Sequence, residues 1–370
     1  MNRPRRICKS LSRFLLALVI LFVSAGVQSS AQSNPGTLQQ VQGAPQQLAG
    51  SEEGLEVLHV QGNVYMIAGA GGNITVQIGD NVIVVDSGVT DMSTEVLAAI
   101  QKLTTKHVLF IINTSDDWDH VGGNETLSKA GWALPDSGLN PIRVDTSSLL
   151  PGNLRAGASI IAHNNLLDRM SAKDSTVPAG LLPTDTYSND DWKLYNGEAV
   201  FITHPNNAHT NGDSYVLFRK SDVISTGDIV TLESYPVINE KTGGSITGVL
   251  NALNQILDLM VPKENEEGGT YVVPGHGRVC DRNDIANYRD MVTIVRDRIQ
   301  SLIRKGMTLQ QVQAAKPTLD YDPLYGTTTG SWTTNMFVEA VYRELSKNEA
   351  SSGPARKITK NNRKKNGGGR

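Results

Sequence analysis

The stretch richest in reactive groups is residues 113–124, Asn-Thr-Ser-Asp-Asp-Trp-Asp-His-Val-Gly-Gly-Asn. Asp116, Asp117 and Asp119 crowd against the imidazole of His120 on one short loop. Hard oxygen and borderline nitrogen donors packed this closely suit coordination of a divalent cation. A solvated acidic turn would use the same residues. The elements that position the loop therefore decide what it is for.

Before it, the apolar run 108–112 reads as a buried strand. After it, Gly122-Gly123-Asn124 opens a segment, 125–130, with helical character. Upstream, 57–60, 64–68, 74–78 and 82–85 are short apolar or alternating runs parted by turn residues. They predict an antiparallel meander ending in Asp86-Ser87-Gly88. Val96, Leu97 and Ile100 then give 93–103 helical spacing. Downstream, strands are expected at 158–162, 199–203 and 271–273, a hairpin at 214–218 and 223–225, and helices at 165–170 and 250–260. His163, between the first strand and its helix, reads as structural rather than as a ligand. Residues 134–154 read as an insertion loop and the place for a lid over substrate. From 284 onward the pattern is helical: 285–303, 309–315 with Thr308 as N-cap, and 332–345, with a linker at 316–325.

Candidate donors recur just past the ends of these strands. Asp86 follows 82–85, Asp119 and His120 follow 108–112, and His209 follows 199–203. Asp228 follows 223–225, and His276 follows 271–273. Loops at one edge of a layered α/β fold converge, so these groups can meet. Asp117, Asp119 and Asp228 brought together would repel, raising at least one carboxylate pKa or forcing the loops apart. A divalent ion removes that repulsion.

Four of these segments, in this order, resemble the metallo-β-lactamase superfamily. Its first motif runs T-H-x-H-x-D-H-x-G-G-N; Asp119 and His120 match the final acid and histidine, while Ser115 and Asp117 stand where the first two histidines belong. Ala208-His209-Thr210 with Gly212-Asp213 resembles the next segment, Thr226-Gly227-Asp228 the bridging carboxylate, and Pro274-Gly275-His276-Gly277 the last ligand. The resemblance implies an αββα sandwich, here with a C-terminal helical extension. It implies one metal position built from Asp119, His120, Asp228 and His276, and another from His209, Asp228 and Asp117. The donors suit Zn²⁺ best, with Fe²⁺ or Mn²⁺ as alternatives and one or two ions bound. The Asp-Ser-Gly turn at Asp86 would brace the site. Asp119 would orient a water, and Asp117 or Asp116 would take up its proton. The implied activity is hydrolysis of an ester, lactone, thioester or β-lactam bond in a small molecule. The substitutions at Ser115 and Asp117 leave open a non-catalytic binding protein on the same fold, and a single-metal oxygenase is a third alternative.

Composition sets the address and the partners. With 370 residues and 39% hydrophobic content the chain can bury a large core. Residues 1–31 carry a basic head, an apolar run at 14–23 and small residues at 29–31, the pattern of a secretory signal peptide. An exported protein, periplasmic or extracellular, with no stable membrane insertion after cleavage, is the expectation. Losing Arg3, Arg5, Arg6, Lys9 and Arg13 would take the net charge from −3 to −8. The end, 351–370, holds seven more basic residues and no acids, leaving a body of −15. An acidic body argues against general nucleic-acid binding. Cys8 would leave with the signal, so Cys280 has no disulfide partner in the mature chain. The expected organisation is a signal peptide at 1–31, a flexible lead-in at 32–54 and a metallo-β-lactamase-like domain at 55–283. A helical extension at 284–346 follows, packing over the domain or building a homo-oligomer contact, and then a disordered basic tail at 347–370.

Overall fold

The structure of the chain, a computed structural model, describes residues 46–47, 54–132, 157–265 and 268–351. The expected signal peptide, nearly all of the expected lead-in, the expected insertion loop at 134–154 and the expected tail beyond 351 lie outside the described residues.

Two sheets form the centre. The first runs, in spatial order, β1 (Gln46–Gln47), β2 (Glu56–Gln61), β3 (Val64–Ala70), β4 (Gly72–Ile78), β5 (Val82–Val85), β6 (Val108–Ile112), β7 (Ser159–His163) and β8 (Asp185–Tyr187). Its first half is the antiparallel meander the turn residues predict; from β5 to β8 the pairing is parallel. The change of direction requires a crossover between β5 and β6, and α1 (Ser93–Leu103) supplies it. The second sheet has the order β13-β12-β11-β10-β9. Its strands are β9 (Asp191–Tyr195), β10 (Glu198–Thr203), β11 (Tyr215–Phe218), β12 (Val223–Thr231) and β13 (Tyr271–His276).

Period-two patterning assigns the faces. Ile83 and Val85 of β5, with Phe110 and Ile112 of β6, meet Val200, Ile202, Val216 and Phe218 of the second sheet in an apolar layer. Val82 and Val84 turn the other way, onto Val96, Ala99 and Ile100 of α1 and Leu127 of α3 (Asn124–Ala130). Beyond the second sheet, Leu217, Ile224 and Val272 pack on α5 (Ile246–Leu259), α6 (Arg282–Arg304) and α9 (Thr334–Ser351). The layers therefore read helix, sheet, sheet, helix: the αββα sandwich, with its C-terminal helices on the second sheet.

Three local differences from the sequence reading matter. β12 continues past Ser225 to Thr231 and β13 past Val273 to His276, so Asp228 and His276 lie within strands rather than after them. Their parallel ladder carries register shifts around Gly227 and Pro274. Pro274 has no N–H to give, and Gly227 sits at φ 50, so the ladder skips there and re-aims side chains. Second, β8 and β9 lie in a stretch whose composition gives no clear strand pattern. Third, α9 runs to Ser351, beyond the expected end at 345 and into residues that composition assigns to the tail. Within the expected linker, Asp322–Tyr325 forms a short helix, α8, after α7 (Leu309–Ala314). Among the described residues, no helix is long and apolar enough to cross a membrane.

Candidate metal centre

Past the ends of β6 and β10 and across the bulged β12–β13 ladder, six side chains converge. Asp119, His120 and His276 form one group, and Asp117, His209 and Asp228 form another; within each, the donor atoms lie within 4.8 Å of one another. His276 Nε2 is 3.1 Å from Asp119 Oδ2, and His209 Nε2 is 3.5 Å from Asp117 Oδ2. Asp228 Oδ1 also reaches the first group, 3.3 Å from His120 Nε2 and 3.4 Å from His276 Nε2. It stands between the two.

His120 is aimed from behind. It sits on a single turn, α2 (Trp118–Val121), and is wholly buried. Its Nδ1 lies 2.8 Å from Asp86 Oδ2, which fixes the donating nitrogen there and leaves Nε2 for the site. Asp86 also accepts from Thr114 N at 2.8 Å and Thr114 Oγ1 at 2.6 Å. Its backbone adopts φ 62, a left-handed conformation uncommon outside glycine and held here by that network. Asp86 thus braces a donor and belongs to neither donor group. Around it, Ser87 Oγ donates to Asn124 Oδ1 (2.9 Å), and Asn124 Nδ2 to Asn113 Oδ1 (2.8 Å), closing the turn from below.

His276 is placed by the backbone. Gly277 lies at φ 98, and a Cβ on Gly275 would come 2.3 Å from Asp228 Oδ1, so only glycine leaves that oxygen its space. Asn73 of β4 donates to Pro274 O (2.9 Å) and Gly277 O (2.8 Å), tying the turn to the opposite sheet. Nothing in the sequence singled out Asn73, because its partners lie about two hundred positions away.

Burial and charge oppose each other throughout. Burial alone would lower the His209 imidazole, but Asp213, Asp228 and Asp117 outweigh it and raise it to about 9. At His120 burial is likewise overcome by Asp86 and Asp228, which hold the ring well above its ordinary range. The contact with Asp119 raises His276 against its burial. Burial pushes Asp228 up, but His120, His209 and His276 hold it far below the ordinary carboxylate range. Burial raises Asp117. The centre is an anionic cage that draws positive charge.

The donors fit a divalent cation. Among the described residues, His120 Nε2 and Asp228 Oδ1 are buried and face each other at 3.3 Å, but neither makes a hydrogen bond of good geometry, a costly state unless something else satisfies them. Ligand bonds of about 2.0–2.1 Å in a tetrahedral zinc site hold donors roughly 3.3 Å apart, close to the 3.1–3.5 Å separations here.

Several candidates play other parts. Ser115 is buried, its Oγ accepts from Asp117 N at 3.2 Å, and it joins neither donor group. Asp116 is held by Arg169, with Nε–Oδ2 at 2.8 Å and Nη2–Oδ1 at 2.5 Å, which leaves Asp117 as the open alternative for proton uptake. His163 stacks on His204 with ring centroids 3.7 Å apart and accepts from Asn165 N, capping α4 (Asn164–Met170). Cys280 is a buried free thiol among the described residues.

A family model described as the metallo-beta-lactamase superfamily matches residues 59–276. Among solved structures, the stereoselective inverting sec-alkylsulfatase Pisa1 from Pseudomonas sp. aligns with a TM-score of 0.53 and 13% identity, covering 78% of this chain and 50% of that one. A double mutant of the same sulfatase aligns at 0.54 and 14%, covering 81% and 52%. The chain thus spans about half the length of the sulfatase structures it matches. A metallo-beta-lactamase from Pontibacter korlensis aligns at 0.44 and 12%, covering 67% of this chain and 99% of that one. At these identities the likeness is one of fold. No curated protein matches the sequence.

Proposed function

The chain belongs to the metallo-beta-lactamase superfamily, and from that premise we propose that it is an exported, metal-dependent hydrolase of a small molecule carrying an ester, lactone, thioester or β-lactam bond. The observation that carries this reading is the pair of donor groups meeting at Asp228, whose Oδ1 lies buried 3.3 Å from His120 Nε2 and 3.4 Å from His276 Nε2. Asp119, His120, His276 and Asp228 would hold one cation, and Asp117, His209 and Asp228 a second. Zn²⁺ suits the first set; the single imidazole and two carboxylates of the second also suit Mn²⁺ or Fe²⁺. The chemistry such a cation supplies is a water made acidic near neutral pH and a polarised substrate oxygen.

The protein's own part follows from exposure. Asp228 is almost enclosed, at 9% side-chain exposure, and serves to set charge and spacing. Asp119 and Asp117, at 30% and 40%, face solvent and can reach a water. In this reading Asp119 orients the water, and Asp117 accepts its proton when not engaged with a cation. The same reading assigns residues 55–283 to the metal-bearing domain and 284–346 to a helical extension. Export rests on the basic, apolar and small-residue pattern of residues 1–31.

The test is metal analysis joined to hydrolysis of generic esters and lactones. The reconstituted protein should retain at least one equivalent of Zn²⁺, Mn²⁺ or Fe²⁺. Turnover should disappear in His276→Ala and Asp119→Ala but survive His59→Ala, whose ring bonds Gly62 O and packs edge-on against Tyr65 within its own hairpin, away from the centre. A chain that stays metal-free in excess metal would remove the basis for the proposal. The second reading, a binding protein with a decayed centre, draws on Ser115 occupying a motif histidine position; metal retention without turnover on any of these bonds would favour it.

A further inference from the structure

The donor group of Asp117, His209 and Asp228 has a weakness the other lacks. Asp117 and His209 come from different loops and meet at 3.5 Å; His209 Nδ1 has Asp213 Oδ1 behind it at 3.7 Å and the Asp117 carboxylate accepts from Ser115 Oγ at 3.5 Å, both looser than the 2.8 Å contact that braces His120 against Asp86. Besides a backbone bond from Ser214 N to Thr114 O (2.9 Å), one side chain spans the two loops. Arg169, near the end of α4, grips Asp116 with two prongs, Nε at 2.8 Å and Nη2 at 2.5 Å. On its other side, Nη1 donates to Asn211 Oδ1, and Nη2 lies 3.4 Å from Thr210 Oγ1. All three guanidinium nitrogens are therefore engaged by protein.

We propose that Arg169 is a positioning residue for the Asp117–His209–Asp228 site, clamping the Asp116–Asp117 turn to the His209–Asp213 turn so that both donors face one cation. The idea rests on the metal-centre reading above. The turn it holds is built to receive it. Thr210 N and Oγ1 donate to Asp213 (2.8 and 2.6 Å), Gly212 N donates to Thr210 Oγ1 (3.0 Å), and Asn165 of α4 donates to Asn211 O (2.5 Å). A Cβ on Gly212 would lie 2.3 Å from Leu166 Cδ1 and 2.9 Å from Arg169 Nη2, so glycine leaves the space the guanidinium occupies. Arginine suits the task because its planar fork matches a carboxylate with two parallel bonds while its outer nitrogens reach further acceptors; lysine offers a point charge without the fork. With Ser115 capping Asp117 N where the family motif has a histidine, the clamp supplies the rigidity that a missing ligand would otherwise provide. The other donor group makes no contact with Arg169; its link to this turn is the backbone bond from His120 N to Asp117 O (2.9 Å), and Asp86 fixes its imidazole independently.

The experiment titrates Zn²⁺ and Mn²⁺ into the metal-stripped full chain by calorimetry, with Co²⁺ absorption spectra as a second readout and circular dichroism as the folding control. Wild type should bind two ions. Arg169→Ala should keep one at unchanged affinity and weaken the other by about ten- to a hundredfold, the usual cost of removing a residue that orients ligands. Arg169→Lys should not restore it. Asn211→Ala, which spares the ion pair and removes only the strut to the His209 turn, should weaken the same ion by less. Two ions at unchanged affinity in Arg169→Ala would overturn the proposal and leave the hydrolase reading standing, as would a wild type that binds one ion only. A wild type that binds none would overturn both.

Discussion

Asp86 lies outside both donor groups, yet His120 depends on it directly. With Asp86→Asn, the group facing Nδ1 loses its charge and the imidazole loses the partner that fixes its tautomer. Affinity for the ion held by Asp119, His120 and His276 should fall about ten- to a hundredfold, measured by competition with a chromogenic chelator, while the other position is spared. Equal weakening of both ions would mean the effect is collapse of the loop rather than release of His120. At this scale the sequence was unusually legible: Asp119, His120, His209, Asp228, His276 and Asp117 all meet, because each sits in a short segment with its own turn chemistry. The supports were not. Asn73 and Arg169 are ordinary polar residues until the fold sets them beside a turn far away in sequence. The fate of Asp116 followed from one of them, since only the fold shows Arg169 closing over its carboxylate.

The helices were readable from their period, but the caps that begin α5 and α6 lie ahead of the expected starts at 250 and 285. α6 begins with a capping box: Asp281 accepts from Asn283 N and Asp284 N, and Asp284 Oδ2 in turn accepts from Asp281 N. Asp281→Ala should therefore destabilise the fold by about 1 kcal/mol, read as a lowered urea midpoint. α5 buries Ile246, Val249, Leu253 and Ile256 along one face and starts at Ser245, whose Oγ accepts from Gly248 N at 2.9 Å. Ile256→Ala should cost about 2–5 kcal/mol by leaving a cavity. Trp192→Ala, on the exposed face of the edge strand β9, should stay within about 0.5 kcal/mol. Similar losses for the two would contradict the burial described here. Trp192 also explains why β9 escaped the sequence reading: its strand alternates half-buried and exposed positions, with Trp192 and Leu194 outward, so hydrophobicity marks the wrong face. The extra lengths of β12 and β13 were hidden by Gly227 and Pro274, residues that ordinarily end strands and here mark a bulge that turns Asp228 and His276 inward.

Across the whole molecule, the acidic cage draws its donors from strands and turns of both sheets, so its charge state bears on global stability. In the metal-free protein His209 titrates at about 9, well above the ordinary 6.5, and His120 and His276 are also raised. A group whose pKa is higher in the folded state stabilises the fold while protonated. That contribution is complete below the unfolded value and is lost as pH climbs through the folded one. The metal-free chain should therefore lose melting temperature as pH rises from about 6.5 towards 9. The loaded chain should not, because a cation replaces those protons as the balancing charge. Metal uptake at neutral pH must then expel protons, and the calorimetric enthalpy of Zn²⁺ binding should vary with the ionisation enthalpy of the buffer. A melting temperature that rises over this window in the metal-free chain, or an enthalpy indifferent to buffer, would show that the imidazoles stay neutral in the cage and that its carboxylates are balanced some other way.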